Sequence, residues 1–447
     1  MNIVINGGGG VGRTLAATLS DEQHDVTVIE ANPIRAEAVE EAVDCHVVTG
    51  SGSLPAVLRE AGAGQANIFI AVTDRDEVNL LSCQIARKLG AERCIARVRD
   101  NAFTAADPAI PFSELGIDQI FNPDEEASRE IVRLLQYPSA TEIIPLANGA
   151  VAAAGLTVAK GAPFEGRTLA ELPSLHGSLC YRITVIRRDG DSIIPRGEDR
   201  IQAGDEIFVI AEPKTLENIS RMLHSEPNQG RLGSVMILGA NELGKSVANM
   251  IQKQCRVKLV DSRQREARKA SEELQRTLVI ESEIEEMDLL EREGLAEADA
   301  FVAVADDEET NVVSCLYAKR LGVGRTVARV ERESYRPLIV SVGVGAAVSA
   351  RQAIVSAILK YIRPGDIKSV ARMRGAPAEV LEFVPRRGAR ILKQRLDRIR
   401  FPRGTMVGMV LRPEGVVVPT GETQIQKGDH VIVFALRGAV RKVEKLF

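Results

Sequence analysis

The chain repeats itself. The stretch AVTDRDEVNLLSCQIARKLG from Ala71 returns as AVADDEETNVVSCLYAKRLG from Ala303, an offset of 232, with Asp74/Asp306, Glu77/Glu309, Asn79/Asn311, Cys83/Cys315 and Gly90/Gly322 identical. The same offset carries Gly7 onto Gly239, Gly12 onto Gly244 and Arg97 onto Arg329. A different kind of segment, IIPRGEDRIQAGDEIFVI from Ile193, returns as VVPTGETQIQKGDHVIVF from Val417 at an offset of 224. Two offsets mean two modules, arranged A–B–A′–B′, and whatever fold the first half takes the second must take again.

Each A module alternates short apolar runs with helical periodicity. Asn2–Asn6, Asp25–Glu30, CHVVTG, IFIAVT and CIARV are strand-like, while Gly12–Leu19, Ile34–Ala42 and Asn79–Leu89 are helical. That alternation predicts a parallel sheet covered on both faces. The B modules hold short strands (AVAAAGLTVA, YRITVIRRDG, DSIIPRG, DEIFVIA) with a short helix expected at Thr168–Leu172. Ser225–Leu232 reads as a polar linker between the halves, and Arg363–Asp366 as a helix break. The expected fold class is α/β: two Rossmann-like parallel-sheet domains alternating with two small β-rich α+β domains. Their expected bounds are 1–135, 140–222, 231–365 and 369–447, with the second Rossmann motif degenerate.

Composition narrows the function. A formal charge of -4 argues against bulk nucleic-acid binding, and the absence of Trp argues against aromatic platforms for single strands. No run reaches the roughly 18 apolar residues of a spanning helix, and no signal-peptide pattern is seen, so a cytoplasmic location is expected. The six cysteines lack CxxC spacing and read as reduced thiols. The five histidines stand far from one another and from any ligand-spaced partner, so no metal site is expected.

The opening MNIVINGGGGVGRTL places Gly7, Gly9 and Gly12 in G-x-G-x-x-G spacing between a strand and a helix. There the first glycine permits a tight turn, the second lets backbone approach a pyrophosphate, and the third lets helix pack on strand. Gly8, Gly10 and Val11 complete the loop, and Arg13 in the first helical turn adds charge. Glu30 ends the second strand where an acid accepts ribose hydroxyls. Gly50 and Ser51 follow strand three, Thr73 and Asp74 follow strand four, and Arg97 lies on strand five with Arg99 just beyond. Arg97 is either a phosphate contact or half of a structural ion pair. A glycine-rich turn that binds nothing is the plain alternative for the loop.

The second copy departs from this pattern. Gly239, Ala240, Asn241 and Gly244 keep the outer glycines but put Asn in the middle. Asp261 retains the ribose-type acid and Lys245 opens the helix. Gly50–Ser51 becomes Glu281–Ser282, and Thr73 becomes Ala305. The favoured reading is a structural copy whose site is weakened.

With INGGGGVG, VTGSGS, AVTDRDEVN and IARV in the first half and PTGETQIQKGDHVIVF at the end, the chain resembles the TrkA family. These are cytosolic regulatory subunits of bacterial Trk potassium uptake, built from two regulator-of-potassium-conductance units. The resemblance implies allosteric control of a TrkH-like membrane subunit, peripheral association with the inner face of the membrane, and a tetrameric gating ring. It implies NAD(H) and ATP or ADP in the first Rossmann unit, with contacts at Gly7–Gly12, Glu30, Ser51, Thr73, Asp74 and Arg97. That family usually keeps the middle glycine in its second unit, which this chain lacks.

No His-Asp, Lys-Tyr or Walker lysine constellation is found, so catalysis is not expected. The competing readings are an NAD-dependent oxidoreductase and a scaffold that senses nothing. The run RRGARILKQRLDRIRFPR, Arg386 to Arg403, holds eight basic residues against Asp397, with Ile391, Leu392, Leu396 and Ile399 at helical spacing. It reads as an amphipathic helix that meets an acidic partner or anionic lipid, binds nucleic acid, or is a solvated face.

Overall fold

The computed structural model describes residues 1–100, 103, 111–137, 139–173, 179–223, 232–282, 287–332, 335, 339, 342–362, 367–372 and 378–447. The expected break over Arg363–Asp366, and the expected linker apart from Leu232, lie outside the described residues.

In the first half the elements run β1 (Asn2–Asn6), α1 (Gly10–Asp21), β2 (Asp25–Glu30), α2 (Pro33–Ala42), β3 (His46–Thr49), α3 (Pro55–Glu60), β4 (Ile68–Ala71), α4 (Asp76–Leu89), β5 (Cys94–Arg97) and β6 (Gln119–Phe121). All pairings in this sheet are parallel, in the order β3-β2-β1-β4-β5-β6. That is the doubly wound order, whose strand order reverses between β1 and β4 and leaves a crevice there at the carboxyl ends. Strand alternation feeds a core on each face. Ile3 and Ile5 point to one cluster and Val4 to the other, all fully buried.

The chain continues through α5 (Pro123–Gln136) into the first small sheet, β7 (Ala140–Leu146), β8 (Val151–Thr157), β9 (Tyr181–Arg188), β10 (Asp191–Ile193) and β11 (Glu206–Ala211), then α6 (Pro213–Met222). This sheet is antiparallel, ordered β10-β9-β11-β8-β7. The expected helix at Thr168–Leu172 is instead a turn up to Glu171, and helical backbone begins only at Leu172. Thr168 bridges Arg200, and the N–H groups of Leu169 and Ala170 donate to the carbonyls of Asp199 and Gly197. Those bonds hold the segment against the 197–200 loop.

The second half repeats the plan: β12 (Ser234–Leu238), α7 (Glu242–Ile251), β13 (Arg256–Asp261), α8 (Gln264–Glu273), β14 (Thr277–Glu281), α9 (Met287–Arg292), β15 (Ala300–Ala303), α10 (Glu308–Arg320), β16 (Arg325–Arg329) and β17 (Ala346–Val348), ordered β14-β13-β12-β15-β16-β17. After α11 (Ala350–Ile362) come β18 (Ile367–Arg372), β19 (Ala378–Phe383), β20 (Thr405–Arg412), β21 (Gly415–Val417), β22 (His430–Leu436) and α12 (Val440–Glu444). The strands form the second small antiparallel sheet, β18-β19-β22-β20-β21.

The compact units do not follow the chain. One comprises Met1–Ala127 with Ser349–Ile362, and the other Ser128–Val348 with Arg363–Phe447. In the first unit, α11 lies on α1. Ile354, Val355, Ile358, Leu359 and Ile362 enter the cluster of Leu15, Leu19 and Ile3, and Tyr361 meets Phe121 edge-on at 6.0 Å. Burying such a side chain is worth about 1.5–3 kcal/mol. In the second unit, Ser128 of α5 hydrogen-bonds Ser246 of α7 at 2.9 Å, and Arg325 donates to the Leu135 carbonyl. Each Rossmann sheet is thus flanked by a helix that follows the other sheet's last strand. The two small sheets share a core within this unit, where Phe208 and Ile210 meet Met409, Ile432 and Phe434.

The basic segment is not a helix. It forms two 3-10 turns, Arg390–Leu392 and Leu396–Arg398. Leu396 and Asp397 donate backbone N–H bonds to Thr423 and Gly421, and Ile391 is fully buried. Leu392, Leu396 and Ile399 pack on the same cluster, so the helical spacing reflects docking, not helix. Arg387, Arg390, Lys393, Arg398, Arg400 and Arg403 are exposed. Among the described residues no helix is long and apolar enough to cross a membrane.

Candidate functional site

Two glycines of the first loop are demanded by the fold itself. Gly7 has φ +116°, and a Cβ there would stand 3.0 Å from the Thr73 amide nitrogen. A Cβ on Gly12 would lie 1.7 Å from the Gly7 carbonyl oxygen, so α1 can approach β1 only without one. Gly9 is different. A Cβ at Gly9 would meet nothing within 4 Å, so no packing requires glycine there. Gly9 is the N-cap of α1, no side chain caps that helix, and its first turn has no acid. The opening N–H groups of α1, at Gly10 and Val11, therefore have neither an intrahelical acceptor nor a side-chain cap, at the positive end of the helix dipole.

The other expected residues ring this loop. Glu30 is buried and accepts from the Gly8 N–H at 2.7 Å through one oxygen and from the Asn32 N–H at 2.9 Å through the other. Each carboxylate oxygen can accept a second bond, so Glu30 shapes the loop and keeps acceptor capacity. The Gly50 N–H donates to the Glu30 carbonyl, tying the third loop alongside, and the Ser51 hydroxyl pairs with Ser53. Thr73 is held by Asn79, which accepts from both its N–H and its hydroxyl. Asp74 and Arg13 are exposed.

Arg97 is not half of an ion pair among the described residues. Its Nη1 lies 3.4 Å from the Thr73 carbonyl, and no carboxylate lies within ion-pair distance among the described residues. Burial, and then the Arg99 charge, push its pKa down, so this guanidinium gains from an incoming anion. Asp76 acts on the Arg97 charge from beyond ion-pair distance, and its Oδ2 accepts from the N–H groups of Arg99 and Asp100.

The second cleft has the same frame with its polar groups used up. Gly239 has φ +108°, and a Cβ on Gly244 would stand 1.9 Å from the Gly239 oxygen. Asn241 caps α7, accepting from the Gly244 N–H at 3.1 Å and donating to the Val304 carbonyl at 2.7 Å. The buried Asp261 accepts from Ala240 N–H at 2.6 Å, and Arg263 grips it through Nε and Nη2 while reaching Asp306 at 2.7 Å. Burial raises the Asp261 pKa, but Arg263 and the two backbone donors outweigh it and hold the carboxyl below its ordinary value. Arg329, the counterpart of Arg97, has Asp306 at 3.7 Å and Glu331 at 3.5 Å. Lys245 is buried between Glu242 and Glu273, and Glu281 is exposed at the end of β14. Where the first cleft has Arg97 and Arg99, the second has Arg329 and Glu331: Arg97 has no ion pair among the described residues, whereas Arg329 has two.

The TrkA-N domain family matches residues 3–123 and 235–350, and the TrkA-C domain family matches 154–224 and 380–447. The chain belongs to the TrkA family. It is 32% identical to the Trk system potassium uptake protein TrkA of Vibrio alginolyticus over 453 positions, covering 100% of this chain and 98% of that one. Its fold is similar to that of the GsuK channel bound to NAD, with a TM-score of 0.61, 18% identity, and 100% of this chain and 78% of that one covered. It is also similar to GsuK bound to ADP, with a TM-score of 0.50, 16% identity, and 80% and 68% covered. TrkA-N and TrkA-C are regulatory domains, not catalytic ones.

Four residues of the clefts escape a reading by motif. Asn6 ends an apolar strand, is 2% exposed, and its Nδ2 has no hydrogen-bond partner. A Cβ on Gly52 would collide with it at 2.1 Å. The signal was a polar residue where the repeat has Leu238. Asn79 and Asn311 each tie the end of strand four to the end of strand five, bonding the carbonyls of Thr73 and Arg97, and of Ala305 and Arg329. Their identity in both copies was the clue. Arg263 stands where the first copy has Asn32.

Proposed function

We propose that this chain is a nucleotide-sensing regulatory subunit that controls potassium uptake by a membrane channel or transporter. The observation that carries the reading is the contrast between the two clefts: α1 opens uncapped beneath Gly9, whereas α7 is capped by Asn241. An uncapped helix start beside an unpaired arginine suits a diphosphate. The fit is supported by the space a Cβ at Gly9 would fill and by the orphaned Asn6 Nδ2. The ligand is NAD(H), ATP or ADP, in keeping with the NAD and ADP named for GsuK. Its diphosphate rests on the amides of Gly9, Gly10 and Val11 with Arg97 beside it, and its ribose is held by Glu30.

The chain's own part is to exist in two states that differ in this crevice. A nucleotide shifts their balance by its difference in affinity, and about 1–3 kcal/mol suffices for regulation. The partner is a TrkH-like membrane subunit, and the chain works at the inner face of the membrane as a homo-oligomer, a tetrameric gating ring. The exposed cations of Arg386–Arg403 suit contact with an acidic partner surface or anionic lipid.

Isothermal titration of the full chain with NADH, NAD, ATP and ADP tests the reading. Heat from at least one, at about one site per chain, is expected from the cleft contrast. Silence from all four in folded protein favours the scaffold. Oxidation of NADH by an added substrate favours the oxidoreductase.

A further inference from the structure

The fourth glycine of the loop has a neighbour from far along the chain. A Cβ on Gly10 would stand 2.6 Å from Nε and 2.7 Å from Cζ of Arg351. Arg351 is the second residue of α11, the helix that follows β17, and α11 packs on α1 within the first unit. A glycine at position 10 is thus what admits the guanidinium to the helix start. We infer that Arg351 is a phosphate-reading residue of the first cleft, placed there by the exchanged helix. The inference rests on the proposed nucleotide reading of that cleft.

Three observations converge. The guanidinium lies against the first residue of the uncapped α1, where N–H groups already favour an anion. The cleft holds a buried donor without a partner, Asn6 Nδ2, and Arg97 without a carboxylate, so its chemistry calls for an acceptor. The repeat departs at this loop position: Gly10 corresponds to Glu242. The glycine that admits a cation is replaced by an acid in the copy whose cleft is self-paired, and that acid binds Lys245. Arg351 already has an interaction of its own, so a phosphate shares or replaces an existing partner. Because α11 follows directly from β17, a ligand gripping Arg351 acts on the chain leading out of the second sheet.

Titration of the full chain with adenosine, ADP and NADH tests this. Arg351→Ala is expected to weaken ADP and NADH at least about tenfold while adenosine stays within about twofold, since one charge-assisted contact to phosphate is lost. Gly10→Ala gives the second arm: its Cβ displaces the Arg351 side chain while leaving that residue and the α11 core intact, with the same loss expected. On ADP binding, amide hydrogen exchange across 350–362 slows, and it does not slow with adenosine. ADP affinity unchanged in both variants, or adenosine falling as far as ADP, overturns the role of Arg351. Wild-type protein that binds none of the three overturns the nucleotide reading itself, and this inference with it.

Discussion

Gly9 and Gly12 look alike in the sequence but should fail in different ways when replaced by alanine. At Gly12 the new methyl would sit 1.7 Å from the Gly7 oxygen. An ordinary carbon–oxygen contact is about 3.2 Å, so α1 must retreat by roughly 1.5 Å from a close-packed strand, the kind of overpacking that costs about 1–3 kcal/mol or more. The retreat also carries the Gly10 and Val11 amides out of place. At Gly9 the methyl meets no protein atom within 4 Å. The fold loses only the preference of an N-cap for glycine over alanine, about 1 kcal/mol or less. A diphosphate lying on that amide would lose its close approach, and about 1.4 kcal/mol of lost contact is already tenfold in affinity. Urea denaturation and ADP titration on both variants separate the two effects. Gly12→Ala should lower the midpoint clearly, while Gly9→Ala should lower it only by the shift that about 1 kcal/mol or less produces and lose at least about tenfold in ADP affinity. A Gly9→Ala protein that binds ADP like wild type would refute the assignment of that space to a ligand, and a Gly12→Ala protein of wild-type stability would refute the packing argument.

In the second cleft, Arg263→Ala should cost about 1–2 kcal/mol at neutral pH, at the low end because Arg263 is partly solvated. The Asp261 contribution is present above the ordinary carboxyl pKa of about 3.9 and lost as pH falls through the lowered folded value, so wild type and variant should converge in acid. A difference that holds steady from neutral to strongly acid solution would contradict this. The Tyr181 phenol is pushed up to about 12 by burial, and its hydroxyl has no hydrogen-bond partner. Stability should therefore fall as pH rises from about 10, where the unfolded phenol ionises, to the folded value, and Tyr181→Phe should lessen that fall while leaving neutral stability equal or higher. Phenolate absorbance and melting measured together across that range decide it. Ile358→Ala, at a fully buried position between α11 and α1, should cost about 2–5 kcal/mol in chemical denaturation; a loss below about 1 kcal/mol would mean that α11 does not cover this face in solution.

Much of this architecture is legible in residues alone. The strands Asn2–Asn6 and Asp25–Glu30 end where their apolar alternation ends, and the repeat doubles every such inference. The required glycines, Gly7 and Gly12, are legible for the same reason: strand and helix adjoin in sequence, so the geometry is local. What is not legible is non-local. The apolar helix containing Ile354 and Ile358 shows that it must be buried, but nothing in its spacing says that it covers α1 and not its own preceding sheet. Arg351 therefore belongs to no motif. The segment around Ile391 misleads because a 3-10 docking loop and a helix can share an apolar spacing when backbone bonds go to Thr423 and Gly421. The weakness of the second cleft is visible at Asn241, while its cause, Arg263 clasping Asp261 and Asp306, needs three loops in space.

Because α11 completes the first unit's core from a distant part of the chain, neither half is a spare part. Severing the polypeptide between residues 223 and 232 would strip the amino-terminal fragment of the helix that shields Leu15 and Leu19, leaving it sticky and in search of a replacement. Duplication here has gone past redundancy into mutual dependence, and the two fragments, co-expressed, should find each other again.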